Sequence, residues 1–99
     1  MAVLSLVSAR IAPERQAQVA ETYRETIDAD LPSVIRETFL LAADDGTVAI
    51  ATIWKSREAL DAVRLATEEP FARRVLREAG GDPQAQFFEI IAEAASGSR

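Results

Sequence analysis

The sequence predicts an α+β chain in the order strand, helix, strand, strand, helix, strand, and three observations carry that prediction. Four short segments are rich in β-branched or aromatic residues, two longer ones repeat apolar residues at helical spacing, and an Asp-Gly turn joins the middle two strands. Ninety-nine residues are enough for one core, so residues 1–95 read as a single domain and Ser96-Gly97-Ser98-Arg99 as a flexible tail.

The first strand is Ala2 to Ala9, an apolar run bounded by Arg10 and Pro13. Pro13 suits the first turn of a helix, and Glu14 complements the positive end of that helix. Val19, Tyr23 and Ile27, four residues apart, then mark its buried stripe. Leu31-Pro32 ends it, because a residue before proline is pushed out of helical geometry. Ser33 to Ala42 and Thr47 to Trp54 flank Asp44-Asp45-Gly46 as an antiparallel hairpin. Ser56 caps a helix that begins near Arg57, with Leu60 and Val63 on one face. Thr67-Glu68-Glu69 form a bend, Pro70 restarts the helix, Phe71, Val75 and Ala79 continue the stripe, and Gly80-Gly81 end it. Gln86 to Ala92 reads as the last strand.

That order is the ferredoxin-like βαββαβ arrangement, a four-stranded antiparallel sheet with two helices on one face. The third strand, however, is apolar on both faces: Val48, Ile50 and Trp54 point one way, and Ala49, Ala51 and Ile53 the other. Leu4 and Leu6 against Val3 and Val7 repeat the pattern in the first strand. A patch of that kind seldom stays open on a monomer, so a homodimer through the sheet faces is expected. The competing reading is that the small alanines line a partly exposed face.

Composition excludes several chemistries. Neither cysteine nor histidine is present, which removes disulfides, thiolate nucleophiles, Ser-His-Asp triads and the commonest transition-metal ligands. The acidic pairs Asp28/Asp30, Asp44/Asp45 and Glu68/Glu69 are explained by a helix end, a loop and a helix start, so no metal site is expected. A net charge of −5 and the lack of a basic stripe argue against nucleic acid. No apolar run is long enough to span a bilayer and the first ten residues lack a basic leader, so a cytoplasmic protein without a membrane partner is expected.

The segment from Thr52 to Val63, TIWKSREALDAV, followed by Glu69-Pro70-Phe71, resembles the signature of the antibiotic biosynthesis monooxygenase family. In that family a third strand ends in E-x-W, a helix opens with serine and an E-A-L step, and a histidine follows. Trp54, Glu58, Ala59, Leu60 and Phe71 match, while Thr52 stands where glutamate is frequent and Val63 where histidine is frequent. The order of elements matches from about Ala2 to Ala94. The resemblance implies a dimeric α/β barrel with a pocket between sheet and helices. Haem-degrading members use a histidine ligand with asparagine and tryptophan, and this chain has neither histidine nor asparagine. Members acting on aromatic polyketides use neither metal nor flavin, because the deprotonated substrate itself reduces dioxygen. No cofactor is therefore expected.

On that resemblance Trp54 and Tyr23 are the candidate catalytic residues. Trp54 would stack on a planar substrate or donate one hydrogen bond, or else be a core tryptophan with its N–H at the rim. The Tyr23 hydroxyl would serve as proton donor or substrate anchor, although its spacing alone favours the core. Thr52, Ile50, Phe71 and Val63 are candidate pocket residues. Arg36 would pair with an anionic substrate oxygen if its face is the pocket face, and is otherwise a solvated or dimer-interface charge, the usual fate of charged strand residues. Arg64 lies one residue beyond the histidine position, about 100° round the helix, and does not inherit its role. Glu89 is a buried acid or an edge charge, with the edge charge favoured.

The expected function is a cofactor-independent monooxygenase acting on a small aromatic or polyketide-like molecule. The alternatives are a non-catalytic dimeric domain that binds a small ligand or assembles, and a cyclase or isomerase on the same barrel. A pocket lined by aliphatic groups alone would favour the non-catalytic reading, and converging polar groups would favour an enzyme.

Overall fold

A computed structural model describes residues 2–66 and 70–94 of the chain. The expected bend at Thr67 to Glu69 and the tail at 96–99 lie outside the described residues. Strand β1 (Val3–Arg10) leads through a 3₁₀ turn at Pro13–Arg15 into α1 (Gln16–Ala29). The hairpin strands β2 (Ile35–Ala42) and β3 (Thr47–Trp54) follow, then α2 (Arg57–Ala66), α3 (Phe71–Glu78) and β4 (Gln84–Glu89). The sheet is antiparallel in the order β2-β3-β1-β4, the α+β ferredoxin-like arrangement that the sequence predicts.

Local chemistry fixes the joints. In the hairpin loop Gly46 takes φ 93°, which a side chain disfavours, and Asp45 Oδ1 accepts the Thr47 N–H at 2.9 Å. The Ala43 N–H donates to the Thr47 carbonyl at 2.9 Å to close the turn. Ser56 Oγ accepts the Ala59 N–H at 3.0 Å and caps α2. At the end of α3 the Gly81 N–H reaches the Leu76 carbonyl and the Gly80 N–H the Arg77 carbonyl, both at 3.0 Å, with Gly80 at φ 94°. These paired bonds are a Schellman stop.

Some boundaries differ from expectation. The first strand runs one residue further, to Arg10, because it continues to pair with Thr47 beside the hairpin. The second begins at Ile35, and a bulge falls between Ile35 and Glu37. The last strand starts at Gln84, opposite Ser8, and stops at Glu89, opposite Val3. Past that point β1 offers only one more bond, from the Ile90 N–H to the Ala2 carbonyl at 3.0 Å, so Ile91 and Ala92 have no strand to pair with.

The helices cover one face of the sheet. Val7, Ala9, Val48 and Ile50 meet Val19, Tyr23, Val75 and Leu76 in the larger part of the core, while Val3, Ile35 and Trp54 meet Leu60 in the smaller. The other face carries Leu4, Leu6, Ala49, Ala51, Ile53, Phe39, Leu41 and Phe88, brought side by side by the register. Among the described residues no helix lies over it, and Phe39, Leu41 and Phe88 are 42%, 47% and 48% exposed. Among the described residues no helix is long and apolar enough to cross a membrane.

Candidate active site

Alternation along a strand puts Ser5 and Val7 of β1 and Thr52 and Trp54 of β3 on the helical face. Helices α2 and α3 reach that face through Leu60 and Ala72, but they do not close over its end next to β4. A cavity of about 320 Å³ remains there. Trp54, Leu60, Phe71, Ala72, Val7, Ala85 and Phe87 supply its apolar wall, and Ser5, Thr52, Arg64 and Arg73 supply its polar groups.

Two hydrogen-bonded threads run to its floor. The Trp54 Nε1–H donates to Ser5 Oγ at 2.9 Å, a buried contact that joins residues 49 apart in sequence. The Tyr23 hydroxyl donates to Thr38 Oγ1 at 3.2 Å, and Thr38 Oγ1 lies 3.3 Å from Thr52 Oγ1. Ser5 and Thr52 are register partners across β1 and β3, so both threads end side by side.

At the rim the Arg64 guanidinium carbon sits 4.8 Å from the centre of the Phe87 ring, within cation–π reach. Arg73 Nη1 donates to the Pro83 carbonyl at 3.4 Å. Among the described residues neither arginine forms an ion pair, and no carboxylate lines the cavity.

The sequence candidates separate as follows. Trp54, Thr52 and Phe71 line the cavity. Tyr23 lies behind its wall, with its ring 6.5 Å from that of Phe71, and reaches the cavity only through Thr38 and Thr52. Ile50 is fully buried in the larger core and does not touch the cavity. Val63 faces a neighbouring groove of about 500 Å³ with Phe71, Ile27 and Leu31. Arg36 sits in the β2 bulge, which turns it away from the helical face, and it pairs instead with Glu93 at 3.5 Å. Its role as a pocket cation is therefore corrected: Ile35, not Arg36, takes the inward position next to Trp54. Glu89 is exposed on the edge strand β4.

The larger groove is a poorer candidate, because it is open and carries Glu25, Asp30 and Arg74 around an apolar floor without a convergent set of polar groups. Sequence reasoning missed Ser5, Thr38 and Phe87 as parts of the site, and it set Arg64 aside. Ser5 did leave a signal: it is a hydroxyl on the inward side of an apolar strand, between Val3 and Val7, where a buried polar group requires a partner.

Solved structures share this architecture. Rv0793 from Mycobacterium tuberculosis superposes with a TM-score of 0.69 at 17% identity, over 96% of this chain and 100% of that one. A Deinococcus radiodurans protein assigned provisionally as an antibiotic biosynthesis monooxygenase gives 0.68 at 16%, over 98% and 99%. SnoaB, a cofactor-independent oxygenase from Streptomyces nogalater, gives 0.68 at 14%, over 96% and 98%. The chain thus has the fold of the antibiotic biosynthesis monooxygenases over nearly its whole length. No protein-family model and no curated protein matches its sequence.

Proposed function

We propose that the chain is a cofactor-independent monooxygenase-like enzyme that takes a small aromatic or polyketide-like substrate into the Trp54 cavity, and that it works as a homodimer. The observation that carries this reading is the convergence of hydroxyl and guanidinium donors in an otherwise apolar cavity, on a fold shared with an oxygenase of that kind. A cavity meant only to hold an oily ligand would have no use for those donors.

The chemistry belongs to the substrate. Loss of a proton from an enol or phenol leaves an electron-rich anion that passes electrons to dioxygen. One oxygen atom enters the product and the other leaves as water. The protein contributes a dry wall, orientation and charge stabilisation. Trp54 and Phe71 clasp the ring plane. Because the Trp54 N–H is engaged by Ser5, the indole acts by its face rather than as a donor to substrate. Thr52 meets the substrate at the floor, and Tyr23 acts on it through Thr38.

Oxygen uptake with anthrones and quinols tests the proposal. The wild-type protein is expected to exceed the spontaneous rate, with Trp54→Phe lowered about tenfold, equivalent to roughly 1.4 kcal/mol of lost transition-state stabilisation. Uptake at the spontaneous rate in both proteins would refute it. Product without an added oxygen atom would instead assign the cavity to a cyclase or isomerase.

A further inference from the structure

Each hydroxyl at the cavity floor has one proton to give, and the hydrogen bonds show which protons are already committed. An indole nitrogen can only donate, so Ser5 Oγ is an acceptor from Trp54 at 2.9 Å and keeps its own proton. In the second thread Tyr23 gives its proton to Thr38. Run head to tail, Thr38 then donates to Thr52 across 3.3 Å, and the Thr52 proton is the one left over. In the opposite polarity Thr52 donates to Thr38 and has no proton left for the cavity. A negative oxygen at the floor therefore selects the head-to-tail order, and each upstream bond polarises the next.

We propose that Ser5 and Thr52 form a two-donor cradle for a substrate oxyanion, with Arg64 and Arg73 as counter-charge at the rim. The cavity would then bind its aromatic enol or phenol as the anion. The inference rests on the Trp54 cavity being the substrate site, and it names the chemical form in which substrate is held. Ser5 and Thr52 stand opposite each other on neighbouring strands and are 6% and 1% exposed, so little water competes for their protons. The cavity offers two hydroxyl protons and two guanidinium groups, and among the described residues none that line it carries a carboxylate. Such a site is short of acceptors and long on donors, which favours a ligand whose recognised atom is a negative oxygen. Donation to the ionised form also lowers the pKa of a bound phenol, its proton passing to bulk solvent.

The probe is 4-nitrophenol, whose anion is coloured, with its methyl ether 4-nitroanisole as a neutral control. Bound to the wild type, the phenol is expected to ionise about one pH unit lower than in solution, so that the anion binds roughly tenfold tighter than the neutral form. Thr52→Val should return the bound pKa toward its solution value, and Thr52→Ser should restore the shift. Arg64→Gln and Arg73→Gln should each reduce it, weakening 4-nitrophenolate binding more than 4-nitroanisole binding. Ser5→Ala leaves the Trp54 N–H unpaired and can lower the melting temperature, so the nearly isosteric threonine variant carries the decision. An unshifted bound pKa, a shift that survives Thr52→Val, or failure of the phenolate to bind would overturn the cradle. A lowered pKa without oxygen uptake would retain the cradle and reject the oxygenase.

Discussion

Asp45 shows how much one side chain can fix. Its carboxylate accepts the Thr47 N–H in the hairpin loop and lies near Arg10, whose guanidinium donates to the Asp45 carbonyl at 2.7 Å. The Thr47 hydrogen bonds, backbone first, and then the Arg10 charge hold its pKa below the usual carboxylate range. A lowered folded-state pKa means stability that is present above the unfolded pKa and lost as pH falls through the folded one. Wild type and Asp45→Ala should therefore differ in denaturant midpoint near neutral pH and converge as pH falls below the usual carboxylate range. An equal gap at both pH values would show that the charge is not the cause. At this scale the sequence was informative about residues whose role follows from strand alternation: Trp54 and Thr52 share an inward face because they lie two apart. It marked Ser5 as an inward hydroxyl but could not name its partner, which is 49 residues away and set by a register that only the folded sheet defines. For Arg36 it left both faces open and favoured the outward one; plain alternation with Thr38 and Leu40 would turn it inward, and a single bulge between Ile35 and Glu37 exchanges inside for outside.

Helix α3 is the element on which the cavity depends, since it brings Phe71, Ala72 and Arg73 to the wall. Its Schellman stop returns the chain toward β4 beside β1, and the two glycines there serve different ends. Gly80 is needed for its φ of 94°, and a Cβ there would meet nothing within 4 Å. Gly81 is needed for space: a Cβ would lie 2.7 Å from Ile11 Cδ1, 2.8 Å from Ala9 Cβ and 3.1 Å from the Leu76 carbonyl. The Ile11 methyl can swing aside, but Ala9 Cβ is fixed to the sheet. Gly80→Ala should cost about 1 kcal/mol through backbone strain, and Gly81→Ala about 1–3 kcal/mol through overpacking. Chemical denaturation of both variants checks this. A second site relieves one strain and not the other: Ile11→Val should recover part of the Gly81→Ala loss and none of the Gly80→Ala loss. The pattern of elements was readable because caps, turns and apolar periodicity agreed. The end of β4 was not, because Ile90 and Ile91 are as strand-like as Phe87 and Phe88, and only the length of β1 decides where pairing stops.

At the scale of the whole molecule the uncovered side of the sheet and the cavity are two faces of the same strands. Ser5 points to the cavity between Leu4 and Leu6, which point away from it, and Thr52 stands likewise between Ala51 and Ile53. Strands of eight residues in a sheet four strands wide span roughly 26 by 19 Å, a plan area of about 500 Å². That is somewhat less than one partner's share of a standard interface, and Ser8, Glu37, Gln84 and Gln86 lie on the same face around the apolar centre. A second copy laid sheet to sheet covers it with a single symmetric contact. Ala51 lies near the middle, flanked by Leu6 and Phe39 on the neighbouring strands and pressed so close by them that it is buried without any helix above it. The wild type is expected to sediment at twice the mass of the 10.8 kDa chain at micromolar concentration. Ala51→Arg places a long charged side chain at the centre of that contact and should sediment at the single-chain mass while keeping its circular dichroism. If the dimer also stiffens the strands beneath the cavity floor, the same variant should bind 4-nitrophenolate more weakly even though it alters no cavity residue. A wild type that sediments as one chain, or an Ala51→Arg protein that still pairs, would leave the open face without its proposed cover.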